Sequence, residues 1–277
     1  MTSESIISNV TSVTQRTAAQ VIEMFHLLFL RVLANNRQNW FVLKGGTNIR
    51  YFFDSVRYSN DIDMDFAGRE PWQVEQTVDA LFAGPALAVL ARQAKIEIVE
   101  PSKPKQTDTT RRWKIGLVAD GHSDPIRTKI EFSARGGASA DVALNVIPDH
   151  IVRPYGLMAP TVQHYGETAA IEQKIAALAL RSETKARDVF DLDLLLRRRQ
   201  SSSAVLTPLK SEHAAQASER AREIVYASFI SEVVPFLDPE VVALYDGEAA
   251  WERMCSSVAS WIDEIEIAQE QQRGGQR

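Results

Sequence analysis

The sequence predicts an α+β fold: an N-terminal half of about 150 residues built on a mixed or antiparallel sheet, followed by a helical half. Three observations carry this. "DIDMDF" (61–66) alternates polar and apolar residues strictly, as a strand does. "RRWKIGLVA" (111–119) and "PIRTKIEFS" (125–133) flank the turn-forming "DGHSD", as the arms of a hairpin do. From residue 163 onward apolar residues recur at helical spacing.

In chain order, residues 16–36 predict a helix with Val21, Met24, Phe25, Leu28 and Val32 on one side. "WFVL" (40–43) reads as a short buried strand, and Lys44-Gly45-Gly46-Thr47 as a turn into a helix that runs to about Asp54, because paired glycines reach backbone angles other residues resist. The acidic strand follows. A helix over about 72–92 leads to a strand at "KIEIVE" (95–100) and then to the hairpin. The stretch 134–162, rich in Gly, Ala and Pro, predicts loops with one short strand at "LNVI". Helices are expected over about 165–181, 185–199, 208–231, 239–246 and 249–271, with "QQRGGQR" as a frayed tail. The expected division is a core over 1–160 and a helical domain over 161–277.

A chain of 277 residues, 45% of them hydrophobic, can bury a real core. Cys255 is its one cysteine, so no intrachain disulfide forms and a reducing cytoplasm is the expected compartment. "VIEMFHLLFLRVL" is interrupted by Glu23, His26 and Arg31 and is too short to cross a bilayer; no signal peptide and no membrane association are expected. The net charge of −5 argues against a protein that coats nucleic acid, although "TTRRWK" (109–114) and "LRRRQ" (196–200) are candidate basic grooves or, equally, solvated surface.

The acidic strand poses the functional question. Successive strand residues face opposite ways, so Asp61, Asp63 and Asp65 share one face and Ile62, Met64 and Phe66 the other. The apolar face must meet the core. Three carboxylates in an open cleft suit a hard cation such as Mg²⁺ or Mn²⁺ with phosphates as further ligands, while an edge strand guarded by charge has the same alternation. Two neighbours favour chemistry. The Gly45-Gly46-Thr47 turn presents backbone N–H groups at a helix N-terminus to an anion such as a triphosphate. In "TKIEFS", Glu131 shares a face with Lys129 while Ile130 and Phe132 take the other, offering the third carboxylate that activates an attacking hydroxyl in two-metal phosphoryl transfer.

Gly-Gly-Thr, a spacer, Asp-x-Asp and a later strand carboxylate resemble the DNA polymerase β-type nucleotidyltransferase superfamily. More closely, "FVLKGGTNIRYFF…RYSNDIDMDF" with "IEQKIAALALRSETKARDVFDLDLLL" (171–196) resembles the AbiEii/AbiGii toxin family, nucleotidyltransferase-like toxins of bacterial toxin–antitoxin pairs. The likeness spans about 40–196 and implies a polymerase-β-like core. It implies that Gly45, Gly46 and Thr47 hold the phosphates of an NTP, that Asp61 and Asp63 bind Mg²⁺ or Mn²⁺, and that Lys174 and Asp191 are functional with Arg187 and Asp188 in support. Glu131 matches the third acid; were it structural, Asp65 or another residue would take its part. Arg57 and Ser59 match an Arg-x-Ser of the family, and Arg57 and Lys44 would either reach the triphosphate or neutralise the acids.

Read from spacing alone, Lys174 lies at the rim of the apolar side set by Ile171, Ile175, Leu178 and Ala179, where an amine meets a phosphate or simply solvent. Arg187 and Asp191, at i and i+4, satisfy an ordinary helix salt bridge. His26, His122, His150, His164 and His213 have no metal-ligand spacing, and no Ser-His-Asp or Cys-His set is suggested. The resemblance implies nucleotide transfer to RNA, in some members the tRNA 3′ end, and a cognate antitoxin as partner. Two alternatives stay open: an aminoglycoside-type nucleotidyltransferase and a non-catalytic nucleotide-binding module.

Overall fold

The computed structural model describes residues 15–35, 40–134, 141–201, 212–245 and 247–274. Part of the expected 134–162 loop (135–140), the first residues of the helix expected from 208 (208–211) and the end of the expected tail (275–277) lie outside the described residues.

Helix α1 (Ala18–Ala34) opens on a capping box, Thr17 and Gln20 each accepting from the other's backbone N–H. It is more deeply buried than the one-sided pattern predicts. Leu27, Phe29, Leu30 and Leu33 are covered as fully as Val21, Met24, Phe25 and Leu28, because the helix packs against the strands Thr110–Ala119, Ile126–Ala134 and Thr161–Tyr165 on one side and the helix Pro85–Gln93 on another. Its polar residues therefore need partners inside the protein. Glu23 accepts from Arg50 Nε at 2.8 Å and Tyr155 Oη at 2.7 Å, and a His26 ring nitrogen lies 2.8 Å from Thr128 Oγ1.

Next come β1 (Phe41–Lys44), α2 (Gly45–Phe52) and β2 (Asp61–Phe66), close to expectation. The helix expected over 72–92 is two, α3 (Pro71–Ala83) and α4 (Pro85–Gln93), meeting at a 50° bend. Pro85 has no N–H to give and disfavours helical angles at Gly84, which is extended at φ −81°, ψ 150°. Among the described residues no single helix is long and apolar enough to cross a membrane. The bent pair reaches that length together, but it buries Val74, Val78, Leu81 and Leu87 in the core.

β3 (Ile96–Thr107) runs well past the expected end, through Pro101 and Pro104, and its pairing to β4 (Thr110–Ala119) shifts register twice between Val99 and Lys105. Proline is tolerated there because β3 is an edge strand. After β5 (Ile126–Ala134) come β6 (Val142–Val146), a single turn α5 (Asp149–Val152) and β7 (Thr161–Tyr165). β7 corrects the expectation that helix begins near 163. The seven strands form one mixed sheet in the order β3-β4-β5-β2-β1-β7-β6, parallel at β2/β5 and β1/β7 and antiparallel elsewhere.

The second half comprises α6 (Glu167–Leu180), α7 (Ala186–Gln200), α8 (Ala214–Glu223), α9 (Tyr226–Glu232), α10 (Pro239–Val242), a 3₁₀ turn over Ala243–Tyr245, and α11 (Glu248–Gly274). The helix expected over 208–231 breaks where Ile224 turns extended and Trp251 Nε1 donates to its carbonyl at 2.9 Å. Two apolar clusters result. One joins α1, α3 and α4 to a single face of the sheet through Ile62, Met64, Ile130, Phe132, Trp113 and Leu43. The other gathers α6 to α11 around Ile175, Val189, Leu192 and Val258 and takes in Ile49 and Phe53 from α2 and its end. The second cluster thus stands over the sheet's other face, the one that carries the acids.

Candidate active site

Asp61 and Asp63 are half-buried on the face of β2 opposite Ile62 and Met64, as alternation requires. The register then sets a row of charge across four strands: Lys44 opposite Asp63, Asp63 opposite Glu131, and Glu131 opposite Arg112. A second row sets Asp61 opposite Lys129 and Lys129 opposite Lys114. Lys129 Nζ lies 3.0 Å from Asp61 Oδ2, and Arg112 Nε donates to Glu131 Oε2 at 2.6 Å.

Asp63 differs from its neighbours in having no hydrogen bond or ion pair among the described residues. Burial pushes its carboxyl above the usual range, and Asp61 and Glu131 push it the same way against the pull of Lys129. Gly45 makes room for it: at φ +70° it adopts an angle that favours glycine, and a Cβ there would lie 3.3 Å from Asp63 Oδ2.

Asp65 does not share the cleft. It is buried, accepting from Tyr165 Oη at 2.8 Å and paired with Lys44, so the expectation of three acids facing open space holds for two. Thr47 is also buried, and its hydroxyl and that of Ser59 both donate to the Asp61 carbonyl at 2.8 Å. These hydroxyls fix the start of β2. Gly46 lies against Ser59 and Arg57, where a Cβ would come within 2.9 Å of Ser59 Oγ and 2.8 Å of Arg57 Nη2.

The helical half closes the cleft. Asp191, fully buried, does not pair with Arg187. It accepts from Arg57 Nη2 at 2.8 Å and Nε at 3.1 Å and lies 2.7 Å from Lys174 Nζ. Burial alone would raise its carboxyl; Arg57 and Lys174 outweigh that and hold it below the usual carboxylate range. Asp188 accepts from Lys174 Nζ at 2.8 Å and has Arg181 Nε 3.1 Å away. Arg187, half-buried, lines the cleft and makes no hydrogen bond or ion pair among the described residues.

The resulting cavity, about 310 Å³, is lined by Lys44, Gly45, Gly46, Asp61, Asp63 and Glu131 on the sheet side and by Gln173, Lys174, Arg181 and Arg187 opposite. Gln173 and Arg181 are contributions that motif reading does not single out; Arg112 lies within the basic "TTRRWK", and the alternation around Trp113 places it on the acid face. Most of the remaining basic residues of these segments are spoken for, Lys114 excepted. Arg111 donates to the Pro71 carbonyl, Trp113 is in the core, Arg197 pairs with Asp193 and Arg198 with Asp54, so neither "TTRRWK" nor "LRRRQ" as a whole forms a basic groove.

No group of three or more His, Cys, Asp or Glu is gathered as a ready metal cluster among the described residues. The donor chemistry nonetheless fits a hard divalent cation: oxygen ligands only, two carboxylates on one strand face, and Asp63 with no hydrogen bond or ion pair among the described residues.

A glycine-led helix beside a D-x-D strand, with a third acid in register on the next strand, places the chain among the nucleotidyltransferases. Solved structures agree on the fold. A candidate nucleotidyltransferase from H. pylori aligns at TM-score 0.59 and 18% identity over 92% of this chain and 99% of that one. JHP933 from Helicobacter pylori aligns at 0.53 and 18% over 95% and 100%. No curated protein matches. Residues 27–261 match the family described as nucleotidyl transferase AbiEii toxin, type IV TA system, and the chain belongs to that family.

Proposed function

We propose that the protein transfers a nucleotide from an NTP to an RNA acceptor, the 3′ end of tRNA, in the cytoplasm, and that a cognate antitoxin restrains it. The observation that carries the reading is Asp63, an acid with no hydrogen bond or ion pair among the described residues, in a row of alternating charge at the floor of the cleft. Asp61 and Asp63, with Glu131, would hold Mg²⁺ or Mn²⁺, which supplies charge neutralisation at the phosphoryl group being transferred.

The remaining work falls to the chain's own groups. Gly45 and Gly46 bring the α2 N-terminus to the polyphosphate, and Arg187 meets it from the opposite wall. Arg57, Asp188 and Asp191 hold Lys174 in place at the rim. The acceptor hydroxyl oxygen bonds to the α-phosphorus, the bond from that phosphorus to the β-phosphate oxygen breaks, and pyrophosphate leaves with the electron pair. The hydroxyl proton passes to Glu131.

The test is transfer of α-³²P-labelled ATP, CTP, GTP and UTP, each alone, to total tRNA with Mg²⁺, beside an Asp61→Ala/Asp63→Ala control. Label on RNA that the control loses is the expected result, and it names the nucleotide. No label from any of the four overturns the RNA acceptor and turns the search to an aminoglycoside acceptor or to nucleotide binding without chemistry.

A further inference from the structure

The acid-bearing face of the sheet is asymmetric about Asp61 and Asp63. Toward β6 it has no run of cations among the described residues, and that edge exposes Leu144 and Val146 instead. Toward β3 it is basic. From Asp61 one row leads through Lys129 on β5 to Lys114 on β4; from Asp63 the other leads through Glu131 and Arg112 to Lys105 on β3. The register shift between Ser102 and Lys105 is what brings Lys105 opposite Arg112. At strand spacing Lys114 lies roughly 10 Å from Asp61 and Lys105 roughly 14 Å from Asp63.

Lys105 and Lys114 are exposed and make no hydrogen bond or ion pair among the described residues. Edge protection accounts for a lysine on β3, but Lys114 belongs to β4, an interior strand with both edges already paired. Its charge is unneutralised in a chain whose net charge is −5, so the local field runs against the global one.

Resting on the transfer reaction proposed above, we infer that the open face of β5, β4 and β3 is the track for the single-stranded 3′ end of the RNA acceptor, its phosphates meeting Lys114 and Lys105. Lys129 and Arg112, which neutralise Asp61 and Glu131, lie between that track and the reacting centre. The strand lies across the sheet and delivers its terminal hydroxyl over β2. Charge complementarity and continuity with the cleft select a polyanion over an apolar partner here.

The measurement is fluorescence anisotropy of a labelled, short single-stranded RNA with the full chain, without NTP, over a range of salt. Lys105→Glu/Lys114→Glu should weaken binding at least about tenfold. The neutral pair Lys105→Gln/Lys114→Gln should lower the slope of log affinity against log salt by about 1.4, at roughly 0.7 per phosphate contact on a single strand. Lys95→Glu, an exposed lysine paired with Asp120, is the control and should leave both unchanged.

Unchanged binding in the double variants, or no RNA binding by the wild type, overturns the track. The two readings fail separately. If wild type transfers label but the double variants keep the wild-type RNA affinity and the KM for RNA, the track falls and the reaction stands. If the variants lose RNA affinity while wild type transfers nothing to RNA, the surface stands and the reaction falls.

Discussion

Asp191→Asn tests whether the helical half is tied to the catalytic core by charge. The side chain is isosteric, so the substitution removes a charge and little volume. Asp191 is fully buried, and the side chains of its partners Arg57 and Lys174 are 4% and 9% exposed. Removing the anion therefore strands the buried Arg57 guanidinium and leaves Lys174 with Asp188 alone. Breaking a buried pair from one side costs about 3–5 kcal/mol. At roughly 2–4 °C per kcal/mol for a chain of comparable size, the melting temperature at pH 7 should fall by about 6–20 °C. The pH dependence gives a second handle. Arg57 and Lys174 hold the Asp191 carboxyl below its usual range, so its stabilisation is present above about pH 4 and is lost as pH falls through the depressed value. The gap between wild type and variant, followed by urea unfolding at pH 7 and at successively lower pH, should narrow in acid. A loss under about 1 kcal/mol, or a gap that stays constant into acid, would refute the account.

Asp63→Asn should do the opposite at neutral pH, abolishing transfer while stabilising the fold by on the order of 1 kcal/mol. The Asp63 carboxyl is raised by burial and by Asp61 and Glu131, so its charge works against folding above its folded pKa; thermal unfolding should show the variant's gain at pH 8 and its disappearance near pH 4. Gly46→Ala would drive a methyl to 2.8 Å from Arg57 Nη2 and 2.9 Å from Ser59 Oγ, groups already committed to Asp191 and to the Asp61 carbonyl, and should cost about 1–3 kcal/mol in urea unfolding; a neutral effect would mean these groups are free to move.

Much of the core and the candidate site is legible in local pattern. Alternation alone separates Asp61 and Asp63 from Ile62 and Met64, and Glu131 from Ile130 and Phe132, and the structure keeps each on its expected face. Depth and long-range partners are not legible. Asp65 obeys the same alternation as Asp63, but Tyr165, 100 residues on, covers it. Helical spacing offered Asp191 the nearby Arg187; the fold gave it Arg57, 134 residues away. β7 escaped notice because five residues between Pro160 and Gly166 are too few to distinguish a strand from a helix start by periodicity. The break between α8 and α9 rests on Trp251, whose indole meets the Ile224 carbonyl from another helix, a partner no local window contains.

The long reach from Arg57 to Asp191 also bears on the order in which the protein comes into being. A chain emerges from the ribosome N-terminus first, so the D-x-D strand is made early while β7, Lys174 and Asp191 are still untranslated. Until residue 165 has left the exit tunnel β1 lacks its parallel neighbour, until residue 187 the cleft lacks part of its opposite wall, and until residue 191 Arg57 has no carboxylate to close on. A nascent copy of this chain therefore holds the acids long before it holds a finished cavity, and the cleft closes only after most of the chain has been synthesised.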